Sequence, residues 1–143
     1  MSQQMDPLVE RIGLSMWRVQ RKIISGMATQ KELGLTFPQY SLLSMIAKEK
    51  RSRVIQLAEK MEVKSSAVTV MLDRMEILGL ISRETDENDR RAVVVTITDK
   101  GKSVQAEGKL RSEMLLGEYL SILEPDELQR FAEYFDKIDR QER

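Results

Sequence analysis

At 143 residues the chain has room for one domain, or one domain with appended arms. Hydrophobic residues at 41% and charged residues at 32% mark a globular chain, and the absence of Cys and His removes disulfides, thiol chemistry, Cys/His zinc sites and every imidazole-based mechanism. The 23 basic residues balance the 23 acidic ones, which speaks mildly against a dedicated nucleic-acid binder, although acid collects toward the C-terminus and leaves the first third relatively basic.

Met1-Ser2-Gln3-Gln4-Met5-Asp6-Pro7 lacks the basic-then-apolar layout of a secretion signal, and Val93-Val94-Val95 is far short of the roughly 18 residues of a membrane span. A cytoplasmic protein with no membrane contact is expected. From residue 6 to about residue 31, Leu8, Ile12, Met16, Val19, Ile23 and Met27 recur every three or four positions, the period of an amphipathic helix. Such a helix is about 38 Å long, more than a small domain needs to cover itself. Gly34 is a plausible stop. Thr36-Phe37-Pro38-Gln39 reads as a new start, with Thr36 as N-cap, Gln39 reaching back and Pro38 in the first turn; Leu42, Leu43 and Ile46 form the buried face.

Residues 48–53 read as a basic connector to a short helix bearing Val54, Leu57, Ala58 and Met61. Glu62-Val63-Lys64 is a turn, and Ser65 is placed to cap the next helix, whose inward stripe is Val68, Met71, Leu72, Met75 and Leu78, with Gly79 as its stop. Two strand-like runs follow, residues 80–84 and 92–97, joined by a charged tip over residues 86–91. Thr98 opens a helix carrying Val104, Leu110, Met114, Leu115 and Leu120. Pro125 then starts a last amphipathic helix with Leu128, Phe131, Ala132, Phe135 and Ile138.

Two short helices joined by a tight turn, then a β-hairpin, predict a mainly α fold with a small β-hairpin wing: a winged helix-turn-helix whose second helix enters a DNA major groove. Ser66, Thr69, Val70 and Asp73 lie opposite the apolar stripe. Hydroxyls can bond base edges or phosphates, Val70 can touch a thymine methyl, and the free N–H groups of the helix start can meet a phosphate. Arg90 and Arg91 at a protruding tip suit the electronegative minor groove, with Asp89 placed to orient a guanidinium. A structural reading stands beside each: Ser65 as a simple cap, the methionines as core, the tip as a solvated turn. The other class of function is a winged helix that docks on a protein without touching DNA; an arginine pair at the tip argues against it.

Together, Leu57-Ala58-Glu59-Lys60-Met61, Val68-Thr69, Leu72-Asp73-Arg74-Met75-Glu76, Gly79-Leu80-Ile81-Ser82-Arg83, Asp89-Arg90-Arg91 and Thr96-Ile97-Thr98-Asp99-Lys100-Gly101 make the chain resemble the multiple-antibiotic-resistance regulator (MarR) family, as do Leu35-Thr36 with Gln39 and the long terminal helices. The resemblance spans essentially the whole chain. It implies a homodimer held by N- and C-terminal dimerisation helices (residues 1–34 and 102–143) flanking a DNA-binding lobe (35–101). Such a dimer binds a pseudo-palindromic double-stranded operator, usually as a repressor. The family's wing pattern of Asp-x-Arg falls on Asp89 and Arg91, and its acidic-basic pair at the end of the recognition helix falls on Asp73 and Arg74. The DNA-binding residues expected are Lys64, Ser65, Ser66, Thr69, Val70, Arg74, Asp89, Arg90 and Arg91. Val70 departs from the family, which commonly has Arg there.

Asp86-Glu87-Asn88-Asp89 looks superficially like the start of a calcium loop but has Arg91 where the loop needs glycine. No phosphate loop or nucleophile elbow occurs, so neither an enzyme nor a cofactor is expected. Relatives often release DNA when a small aromatic or anionic molecule enters a crevice beside the terminal helices. Met16, Trp17 and Tyr40 are the candidate effector contacts, with Arg18 or Arg21 to meet a carboxylate.

Overall fold

The computed structural model describes residues 6–28 and 34–141. In chain order the elements are α1 (Pro7–Ala28), α2 (Phe37–Glu49), β1 (Arg51–Arg53), α3 (Val54–Met61), α4 (Ser65–Ile77), β2 (Ile81–Thr85), β3 (Val93–Ile97), α5 (Asp99–Leu120) and α6 (Pro125–Asp139). The fold is mainly α with a winged helix-turn-helix at its centre, as expected. The expected continuation of the first helix to residue 31 falls outside the described residues.

α2 begins where its local chemistry dictates. The Gln39 N–H donates to the Thr36 hydroxyl at 3.3 Å, and the Thr36 N–H donates to Gln39 Oε1 at 3.0 Å, so two helix-end donors are satisfied reciprocally. The apolar face of α2 then meets those of α3 and α4. Leu42, Leu43, Ile46, Leu57, Val68, Leu72 and Met75 are all fully buried, with Leu80, Ile81 and Val95 closing the core from the sheet side. Met71 and Leu78, expected in the inward stripe of α4, pack on the core's edge.

The α3–α4 turn holds its angle through Glu62, which adopts the left-handed conformation (φ +56°) while its N–H meets the carbonyls of Ala58 and Glu59. Gly79, just past α4, has φ +77°, a conformation that favours glycine.

The sheet has three antiparallel strands in the order β1-β3-β2. The third strand corrects the expectation of a plain connector over residues 48–53. α2 runs on to Glu49, Lys50 turns the chain at φ +61°, and Arg51, Ser52 and Arg53 pair with Thr96, Val95 and Val94. Ser52 points into the core and its two neighbours point out, but three residues are too few to display a strand period.

α5 packs on α2 and α1 through glycine: a Cβ on Gly108 would meet the Tyr40 ring at 2.3 Å, and one on Gly26 would meet Leu115 at 2.6 Å. The rest of the terminal helices stay open. Leu8, Ile12, Met16 and Trp17 of α1, Leu110 and Met114 of α5, and Phe131, Phe135 and Ile138 of α6 are exposed, and no residue of α6 is buried. No helix among the described residues is long and apolar enough to cross a membrane.

Candidate nucleic-acid interface

α4 buries one side and presents the other. Ser66, Thr69, Val70 and Asp73 are exposed, Val70 to 68%. The start of the helix lies one residue earlier than a serine cap predicts. Lys64 is the N-cap and makes no side-chain cap bond, while Ser65 is the first helical residue. The Ser65 carbonyl instead accepts the Thr69 hydroxyl at 3.0 Å, which leaves that hydroxyl as an acceptor toward solvent. With no side chain capping it, the first turn of α4 leaves the N–H groups of Ser65 and Ser66 to the solvent side, beside the exposed Lys64.

The wing is built from β2, β3 and the loop between them. Asp89, Arg90 and Arg91 stand exposed at its tip. Asp89 Oδ1 accepts the backbone N–H of Arg91 at 3.0 Å, so its observed role is to shape the turn and not to orient a guanidinium. Two acids of α4 meet the sheet beside the wing: Asp73 bonds Arg83 of β2 at 2.7 Å, and Glu76 bonds the same guanidinium at 3.0 Å. Those contacts, Glu76 first, raise the Arg83 guanidinium's pKa, and the Arg83 bond lowers that of the Glu76 carboxyl. Arg83 therefore ties the wing to α4.

Residues 86–91 are not wholly a solvated tip. Asp86 is 7% exposed. Its Oδ1 accepts the Asn88 N–H at 3.0 Å, its Oδ2 accepts Arg53 Nη2 at 2.7 Å, and Arg51 Nη2 lies 3.8 Å away. The Asn88 bond first, then the two arginines, hold its carboxyl below the usual carboxylate range. The carboxylate that resembled a calcium ligand thus faces guanidinium groups.

Between α4 and the wing lies an open cleft of about 450 Å³, lined by Ser65 and Thr69 of α4, Arg53 and Arg83 of the sheet, and Asp89 and Arg91 of the wing. When a helix fills a major groove and a wing reaches the adjacent minor groove, the one sugar-phosphate strand dividing those grooves must pass between them. Among the described residues Lys64, Arg74, Arg90 and Arg91 make no ion pair, so their charge is available to a polyanion. Of the nine expected DNA-binding residues, α4 and its N-cap carry Lys64, Ser65, Ser66, Thr69, Val70 and Arg74, and the wing carries Asp89, Arg90 and Arg91. The cleft brings Ser65, Thr69, Asp89 and Arg91 together; the other five stand outside its lining. Sequence reasoning missed Arg53 and Asp86: β1 is too short to show a strand period, and nothing local to Asp86 marks it as buried.

The three candidate effector residues lie outside this cleft. Trp17 is exposed on α1 with the Arg21 guanidinium 4.8 Å over its ring, and Met16 is exposed beside it. Tyr40 is half-buried on α2 and donates its hydroxyl to the Gln105 carbonyl at 3.2 Å.

The family model described as MarR family matches residues 35–93. The HTH-type transcriptional repressor MdtR of Bacillus subtilis is 34% identical over 134 residues, which cover 93% of this chain and 86% of that one. The crystal structure of the YusO protein from Bacillus subtilis matches with a TM-score of 0.78 at 32% identity, covering 98% of this chain and all of the other. A mutant MarR from E. coli, crystallised with operator DNA, matches with a TM-score of 0.68 at 25% identity over 92% of this chain and 93% of that one. With its helix-turn-helix, its wing on a three-stranded sheet and these relatives, the chain belongs to the MarR family of transcriptional regulators.

Proposed function

We propose that two copies of this chain grip a single pseudo-palindromic operator in the cytoplasm and repress the genes beside it, as a binder that catalyses nothing. Each copy places α4 in a major groove, with Ser66, Thr69 and Val70 toward the base edges. Lys64, Ser65 and Arg74 meet the flanking phosphates, and the wing sends Arg90 and Arg91, on the turn shaped by Asp89, toward the adjacent minor groove. The observation that carries the reading is the cleft between α4 and the wing, with the unpaired Arg91 in its lining and the unpaired Lys64 and Arg74 on α4 outside it. MdtR being named a repressor and the E. coli relative being bound to operator DNA support it.

Residues 35–101 form the reading lobe in this proposal, and residues 1–34 and 102–143 form the dimer arms. The uncovered apolar rows of α1, α5 and α6 support pairing with a second copy, since a lone lobe would leave a large hydrophobic patch in water. The two-fold axis then sets the α4 helices about 34 Å apart, one DNA turn. Release follows entry of a small aromatic acid near Met16, Trp17 and Tyr40, where Arg18 or Arg21 meets its carboxylate.

Selection of bound duplexes from a random library tests the whole reading. Enrichment of inverted repeats with half-sites one turn apart is expected, and recovery of no preferred duplex refutes it. Titrating salicylate-like acids while following fluorescence of Trp17, the single tryptophan, tests the effector site: quenching should parallel loss of the selected duplex.

A further inference from the structure

The cleft contains a cation that the family pattern does not point to. Arg53 ends β1, serves as the N-cap of α3 and lines the cleft together with Arg91. Its side chain is 42% exposed, yet one edge is fixed by the 2.7 Å bond from Nη2 to Asp86. A guanidinium has five N–H donors in a rigid fork, so that single bond leaves the rest of the fork free. The second arginine, Arg51, stands 3.8 Å from the other oxygen of the same carboxylate. Two cations on one anion leave a unit of positive charge at the cleft's edge. Arg83, the other sheet arginine there, is already committed to Asp73 and Glu76. Asp89, the one acid lining the cleft, spends one oxygen on the Arg91 N–H.

Resting on the DNA-binding reading above, we infer that Arg53 is a ligand of the backbone phosphate passing through the cleft, and that Asp86 is the positioning residue that holds its fork toward that phosphate. The arrangement suits a phosphate better than a base. Arg53 belongs to the sheet and lines the cleft together with residues of α4 and of the wing, the two elements proposed to enter the grooves, so the strand dividing those grooves would pass beside it. Asp86 sets the same guanidinium and the wing turn at once, through its Oδ1 bond to the Asn88 N–H. The height of the wing and the reach of Arg53 are thereby coupled through a single carboxylate.

The test uses the full chain and a duplex selected as described above, with binding measured by fluorescence anisotropy across a potassium chloride series. Each phosphate neutralised contributes about 0.9 to the slope of log K against log salt. Arg53→Gln should lower that slope by about 0.9 per protomer, and Arg53→Lys, which keeps the charge, should retain the parental slope. Asp86→Asn keeps an acceptor for Asn88 but loses the ion pair. It should weaken binding about tenfold at constant slope, and it should add little further loss in the Arg53→Gln background. A parental slope for Arg53→Gln overturns the phosphate assignment and leaves the DNA reading intact. Full additivity of the two substitutions overturns the positioning role of Asp86. Absence of any duplex bound by the parent chain overturns both the inference and the reading beneath it.

Discussion

Gly101, in the first turn of α5, sits where a side chain has no room. A Cβ placed there would lie 2.0 Å from the Leu80 carbonyl oxygen and 2.7 Å from Ile97 Cγ1. The oxygen is backbone in the β2 approach and cannot swing aside, so Gly101→Ala must lift the start of α5 by at least about 1 Å to reach a tolerable contact. That start is held to the end of α4 by three bonds. The Thr98 N–H donates to the Leu80 carbonyl at 3.0 Å, the Thr98 hydroxyl to the Gly79 carbonyl at 2.6 Å, and Lys100 Nζ to the Leu78 carbonyl at 2.8 Å. A 1 Å displacement takes the first of these beyond hydrogen-bond range.

Overpacking of this kind costs about 1–3 kcal/mol and the lost bond about 1 kcal/mol, against a gain of about 0.5–1 kcal/mol for alanine over glycine in a helix. The net expectation is a loss of about 1–3 kcal/mol. Denaturant unfolding followed by circular dichroism measures it, at one fixed protein concentration because dimerisation would shift the midpoint. Unchanged or increased stability refutes the argument, since helix propensity would then outweigh a clash that the backbone had absorbed.

Leu72→Ala, at a fully buried position between α2, α3 and the sheet, should cost about 2–5 kcal/mol in the same assay. The carboxyls of Asp86 and Glu76 titrate lower in the folded chain than unfolded, so each contributes stability that is present above its ordinary range and lost as pH falls through it. Asp86→Asn should therefore flatten the acid limb of stability against pH below about pH 4, and a limb as steep as the parent's would refute this. If Val70 reads thymine methyl groups, replacing thymine by uracil at the bases facing α4 should weaken the parent several-fold and leave Val70→Ala nearly indifferent.

What was legible in the sequence was what is local. Thr36 and Gln39 satisfy each other three residues apart, and the apolar stripes of α2 and α4 repeat every turn, so the start of α2 and the buried faces of both helices could be read directly. β1 was not legible, because its three residues are a strand only by virtue of pairing with Val94–Thr96. Asp86 reads as one more charge in a polar tip; its burial depends on arginines more than thirty positions upstream. Asp73 reads in the sequence as one more outward-facing residue opposite the apolar stripe of α4, and nothing local points to its partner in space, Arg83 on the next strand. These misses are long-range pairings, a strand ladder for β1 and ion pairs for Asp86 and Asp73, to which hydrophobic periodicity is blind.

Long-range contacts also determine how the reading helix is held. The end of α4 and the turn after it present carbonyls at Leu78, Gly79 and Leu80 that need partners, and Thr98 and Lys100 at the start of α5 supply them. Along its side, α4 is bonded to the wing through Arg83. α5 continues from this junction past Tyr40, where Gly108 permits close packing, to the uncovered row of Leu110 and Met114. One helix therefore runs from the carbonyls that finish α4 to the apolar surface proposed to meet the second copy. The separation of the two α4 helices would then be set by packed helix and hydrogen bonds, with no flexible loop between dimer surface and reading surface. A displacement of α5 must move the end of α4 with it or break the bonds made by Thr98 and Lys100.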